Sequence, residues 1–259
     1  METSIFYEIP IYVLFPVTIA LSLASIEVGC RLGRRLKPDD KESSSSLGST
    51  VGATLGLLAF ILAFTFGVAS SRYDARKQLV INDANAIGTC YLRTEFLPEG
   101  QRDEARRLLR EWVALRIGPD KFEDDQLKVT LDRAKEIQAE LWGVVVSVSR
   151  TQPSRMTAMF ADSCNLVFDI YEERVAKGLV TRIPGPLWLV LYVVSMIAML
   201  AVGYQSGVND YRRGIGTALL ALAFATVLVT IADLDDNFRG LLRIDQYPME
   251  QLHKNLDRG

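Results

Sequence analysis

The chain has 259 residues, 49% of them hydrophobic, with 29 Lys and Arg against 31 Asp and Glu. A net charge of −2 excludes a general nucleic-acid binder, which needs a clustered excess of positive charge. A single histidine, His253, excludes sites built on His clusters, and no Walker loop, GxGxxG, HExxH or GxSxG motif occurs, so the chain is not read as an enzyme.

Apolar residues are pooled into four blocks, with the charges pooled between them. The first block, 9–29, is uncharged except for Glu27. Its leader METSIFYE has no Lys or Arg and carries two Glu, so it does not read as a cleaved signal peptide. Arg31, Arg34, Arg35, Lys37 and Lys41 follow, the last of them inside the Ser-rich connection PDDKESSSSLGS, which reads as a flexible loop. The second block, 50–71, carries no charge, and a bilayer core takes about 20 such residues in a helix. Gly48, Gly52 and Gly56 lie four apart at its start. Small residues at this spacing allow close backbone approach in lipid, so they mark a helix-packing seam, against a neighbouring span or another subunit.

Residues 72–185 form a polar insertion that reads as helical. Val80, Ala84, Ile87 and Tyr91 fall at helical spacing, as do Leu127, Leu131 and Ala134, then Leu141, Val145 and Val148, and later Met156, Phe160, Cys164, Val167 and Ile170. Breaks are expected at Pro98, at Gly118-Pro119-Asp120, at Pro153 and at Gly178. Nothing breaks the second span's helix before Pro98, so it should run on into the Val80–Tyr91 stripe. The third and fourth blocks, 186–203 and 215–232, are also long enough to span. Tyr7, Tyr12, Trp188, Tyr192, Tyr204 and Tyr211 sit where interfacial aromatic belts are expected.

These blocks predict an all-α integral membrane protein of four transmembrane helices, with a helical extramembrane domain inserted between the second and third. The expected parts are a first hairpin (1–71, spans about 9–29 and 50–71, loop 30–49), the helical domain (72–185), a second hairpin (186–232) and a C-terminal tail (233–259). Cations after span one, with Arg212 and Arg213 between spans three and four, put both short connections in the cytoplasm and the helical domain outside. Arg72, Arg76, Lys77, Arg174, Lys177, Arg182, Arg239 and Arg243 lie near the opposite face. Asp233, Asp235 and Asp236 after span four offer carboxylates to a hard cation such as Ca²⁺, but the EF-hand pattern is absent. Cys30, Cys90 and Cys164 are far apart in sequence and show no metal-ligand or disulfide spacing.

The stretch FILAFTFGVASSRYDARKQ resembles the second transmembrane helix of bestrophin channels. Through RYDARKQLVINDANAIGTCYLR and DLDDNFRGLLRIDQYPMEQL, nearly the whole chain resembles the bacterial bestrophin-like family of membrane proteins. The resemblance implies a homo-oligomer, pentameric as in bestrophins, in the bacterial inner membrane. It implies an anion pore whose neck falls at Gly56, Phe60 and Phe64, with Arg72 and Arg76 in the adjoining vestibule. Gly56 departs from the bulky residue of that pattern. Asp233, Asp235 and Asp236 fall where bestrophins hold calcium, though spacing and number match only loosely. The resemblance also implies a cytosolic helical domain, against the charge rule. A non-conducting membrane scaffold or sensor is the alternative reading.

Overall fold

The computed structural model describes residues 10–36, 41–117, 124–177, 183–209, 215–236 and 240–257. Tyr7, Lys37, Gly118, Pro119, Asp120, Gly178, Arg182, Tyr211, Arg212, Arg213, Asn237 and Arg239 lie outside them, as does the side chain of Leu127. The helices are α1 (Ile11–Arg35), α2 (Lys41–Arg93), α3 (Glu99–Ala114), α4 (Asp124–Thr151), α5 (Arg155–Val175), α6 (Gly185–Val208), α7 (Ile215–Asp235) and α8 (Tyr247–Leu256), and no strand occurs among the described residues. Four of the helices are long and apolar enough to cross a membrane. The chain divides into two compact units, Met1–Tyr73 with Arg182–Leu242, and Asp74–Thr181 with Arg243–Gly259.

Helix α2 runs unbroken to Arg93, as the lack of any breaker before Pro98 predicts. It also begins earlier than expected: the Ser-rich connection is helical from Lys41. Once a helix is nucleated, each added residue gains a hydrogen bond at little further cost. The apolar turns that follow supply that nucleus, and a run of serines is too weak a breaker to stop propagation.

In the first unit, α1 and α6 run parallel. Thr18 meets the Tyr192 hydroxyl at 3.0 Å, Ser25 donates to the Met196 sulfur at 3.1 Å, and Gly29 and Gly33 then meet residues 200–208. The seam between them is made by glycine on both sides. A Cβ built on Gly29 would overlap the Leu200 carbonyl, and one on Gly33 the Tyr204 carbonyl. A Cβ on Gly203 would overlap Ile26, and one on Gly207 would overlap Cys30. Two Gly-x-x-x-Gly pairs thus face each other, and the backbones approach as closely as this motif allows.

Helix α2 closes on α6 and α7 through Leu58, Leu62 and Ala69, which bury against Leu191, Leu228 and Ile231. Ala221 and Ala225 of α7 are fully buried. Trp188 is buried in this core rather than presented to headgroups, whereas Tyr12 is exposed.

The second unit is a helical bundle. Ile87, Leu108, Trp112, Ile137, Leu141, Phe160 and Val167 fill its core. The predicted stripes at Val80, Ala84, Ile87 and Tyr91, and at Leu141, Val145 and Val148, are buried; Met156 is exposed instead. Pro153 separates α4 from α5, and α5 starts with a capping box. The Ser154 Oγ accepts from the Thr157 N–H at 3.1 Å while the Thr157 Oγ1 accepts from the Ser154 N–H at 3.0 Å. Part of the expected tail belongs to this bundle: Met249 and Leu256 of α8 are buried, and Arg110 donates to the Leu256 carbonyl at 3.0 Å.

Candidate functional site: the open face of helix α2

Helix α2 buries one stripe and leaves another uncovered. Val51, Leu58, Leu62 and Ala69 face inward. Ala53, Gly56, Phe60, Phe64, Gly67 and Ser71 recur at spacings of three and four, and all are exposed. Phe60 is 71% exposed and Phe64 69%. A Cβ built on Gly52, Gly56 or Gly67 would meet nothing within 4 Å, and one on Gly48 would meet only the Gln205 side chain, at 3.3 Å. Among the described residues of a single chain, therefore, no helix covers the Gly52–Gly56 ridge.

The composition of this face differs from that of the other spans. Exposed positions on α1, α6 and α7 include bulky residues such as Leu21, Val28, Leu189, Ile197, Leu219 and Val227, with small ones such as Ala20, Ala24, Ala218 and Ala223 on α1 and α7. Those on α2 include Gly52, Ala53, Gly56, Ala59, Ala63 and Gly67. Lipid tails reward bulk, whereas a backbone that must approach another helix needs small residues. Farther along α2, in the second unit, Gln78, Asn82, Asn85 and Thr89 are exposed, and Gln78 donates to Asn82 at 3.0 Å.

Arg72 and Arg76 do not lie on the open stripe. At about 100° per residue they sit roughly 120° and 160° around the helix from Phe60. Arg72 forms an ion pair with Asp235, Nη1 to Oδ1 at 3.4 Å, and Arg76 is buried. The exposed charge nearest the stripe is instead Asp74.

The acidic cluster after α7 is engaged by donors. Asp235 is fully buried and accepts the Ile183 N–H at 2.9 Å on its second oxygen, which ties the start of α6 to the end of α7. Asp233 accepts the N–H groups of Leu241 at 2.5 Å and Leu242 at 3.1 Å, one on each oxygen. Calcium requires six to eight oxygens. Here all four carboxylate oxygens of Asp233 and Asp235 already face N–H donors, one of them a guanidinium, so this arrangement does not fit a hard cation. Among the described residues no group of three or more His, Cys, Asp or Glu is placed to hold a metal.

Two features escaped the sequence reading. Cys90 and Cys164, 74 residues apart, bring their sulfurs to 3.5 Å in the second unit's core. In the same unit, buried Asp83 accepts from Arg116 at 3.1 Å and from Arg174 at 2.5 Å. The only sequence signal for either was a polar or small residue inside an apolar stripe.

A family model described as "Bestrophin-like domain" matches residues 19–249. No curated protein matches the chain. Among solved structures, it is similar to a single-substitution variant of a bacterial bestrophin homologue from Klebsiella pneumoniae, with 13% identity, a TM-score of 0.66, and 95% of this chain and 97% of that one covered. The same homologue phased on zinc aligns with 16% identity and a TM-score of 0.62, covering 94% and 96%. Identity at this level carries the fold alone, while the family rests on the domain match across most of the chain. The chain belongs to the bestrophin-like family of membrane proteins.

Proposed function

We propose that this chain assembles into a homo-oligomer around an axial pore lined by the open face of α2, and that the pore passes small anions. The observation that carries the reading is the uncovered stripe of small residues and paired phenylalanines on a helix otherwise packed against α6 and α7. Copies of Gly52 and Gly56 let neighbouring α2 helices approach near the axis. Phe60 and Phe64 then ring a narrow apolar collar, which a hydrated ion crosses only when it widens or wets. Anion passage and a pentameric count follow from the likeness to bestrophins. Arg72 is engaged by Asp235, so selection by charge does not rest on a guanidinium ring, and the polar side chains of Gln78, Asn82 and Asn85 are left to meet the ion.

Phe60→Ala combined with Phe64→Ala tests this in planar bilayers. Conductance should rise several-fold, or appear where the parent is silent, with a reversal potential near the chloride potential. A well-folded double variant that carries no current under any anion gradient would end the pore reading. The scaffold or sensor reading would then lead, with the open groove of about 500 Å³ lined by Gln101, Glu104, Glu140 and Ser147 as the place for a partner. Reversal near the cation potential would keep the pore, remove the anion assignment, and direct attention to Asp74.

For orientation, the parallel run of α1 and α6 puts their C-terminal ends, and hence the two short connections, on one side. The cations after α1 assign that side to the cytoplasm and the helical domain to the outside. A cysteine at Ser45, in a background lacking the three native cysteines, should resist a membrane-impermeant thiol reagent in intact cells. Ready labelling would reverse the orientation, to the arrangement that the bestrophin resemblance implies.

A further inference from the structure

We propose that Cys90 and Cys164 are a covalent modification site, a thiol pair that closes reversibly to an intrachain disulfide between α2 and α5. The two sulfurs stand 3.5 Å apart, and both residues are fully buried. A disulfide needs about 2.05 Å, so closure requires roughly 1.5 Å of sulfur movement. The remaining cysteine, Cys30, is buried on α1 and belongs to the first unit.

The surroundings give the two sulfurs different roles. Hydrogen bonding to Cys90, reinforced by burial, pushes the Cys164 thiol up. Cys164 therefore holds its proton, and Cys90 is the sulfur that reacts first. The Arg93 side chain lies one turn on from Cys90 and is anchored to the Met159 carbonyl at 2.7 Å, which keeps a positive charge beside that end of α2. The oxidant is a small azo compound or low-molecular-weight disulfide. With an azo oxidant, the Cys90 thiolate adds to one nitrogen of the N=N bond and forms an S–N bond. Cys164 gives up its proton, attacks the Cys90 sulfur and breaks that S–N bond. The S–S bond forms, and a hydrazine leaves with the two electrons and two protons that the thiols lose. Full burial makes the reaction depend on local opening of the bundle, so it runs slowly and stops at one product.

The test uses the full chain in detergent micelles with Cys30→Ala, which leaves only the two thiols in question. It is independent of conduction. After incubation with diamide, the protein is denatured, alkylated and weighed. Neither thiol should then take up the label, the mass should fall by two hydrogens, and digestion should yield a peptide pair joined at Cys90 and Cys164. Dithiothreitol should restore both thiols, and the oxidised form should melt higher than the reduced one. In Cys164→Ser on the same background, Cys90 should form no intrachain link. The proposal is overturned if both thiols still take up the label after prolonged exposure to excess diamide. It also fails if the only disulfides found join separate chains.

Discussion

Gly203→Leu is expected to destabilise the folded membrane unit strongly. A Cβ at this position already overlaps the Ile26 backbone, so no rotamer change relieves it and α1 must move away from α6. The move also opens Gly29, Gly33 and Gly207, whose own close approaches depend on the same separation. Overpacking against movable side chains costs about 1–3 kcal/mol. Backbone overlap along a whole seam belongs at or above the top of that range. At roughly 2–4 °C per kcal/mol for a chain of this size, a loss of about 3 kcal/mol lowers the melting point by some 6–12 °C. Little monodisperse protein should survive size exclusion in detergent. Gly52→Leu is the contrasting variant. Nothing lies within 4 Å of a Cβ there, so the single chain should melt as the parent does while the proposed oligomer dissociates. If Gly203→Leu melts like the parent, the α1–α6 seam is not as close as described. If Gly52→Leu keeps the parent's mass, the open face of α2 is not a subunit contact.

Asp83→Asn should be the most damaging single change in the helical unit. The carboxylate is fully buried and is shared by two guanidinium groups, those of Arg116 and Arg174. Arg116 lies 4.1 Å over the Trp112 ring and 4.6 Å over the Tyr171 ring, and the two rings are 5.0 Å apart. Burial pulls the Arg116 pKa down, and the Asp83 charge opposes that pull. Neutralising Asp83 leaves the buried Arg116 without its counter-charge, a change of about 3–5 kcal/mol for a broken buried pair. The cluster joins α2, the end of α3 and α5, so its loss loosens three helices together. Thermal unfolding monitored by Trp fluorescence would read this. Combining Asp83→Leu with Arg116→Met should restore most of the stability. A buried ion pair can be replaced by apolar residues at little cost, and the Arg174 side chain, 20% exposed, can turn to water. An Asp83→Asn protein as stable as the parent would remove the cluster from any structural role.

Four apolar blocks, each near the length of a bilayer, determined the class of this protein before any packing was known. The helical insertion and the breaks at Pro98 and Pro153 were equally legible, because they follow from local periodicity and from the backbone limits of proline. The unbroken run of α2 past Arg72 was also readable, since helix propagation depends on neighbouring residues alone. Tertiary structure decided what each face meets. Glycines four apart occur on α1, α2 and α6, and periodicity marks all three as smooth without ranking them. Only the packed chain assigns Gly29, Gly33, Gly203 and Gly207 to the internal seam and leaves Gly52 and Gly56 open. Arg72 sat at the end of a span beside other charges, and nothing local indicated that its partner was Asp235, 163 residues away. The Cys90–Cys164 and Asp83–Arg116–Arg174 clusters likewise bring together residues from separate helices. Their energies come from burial and charge pairing, which depend on spatial neighbours rather than on position along the chain.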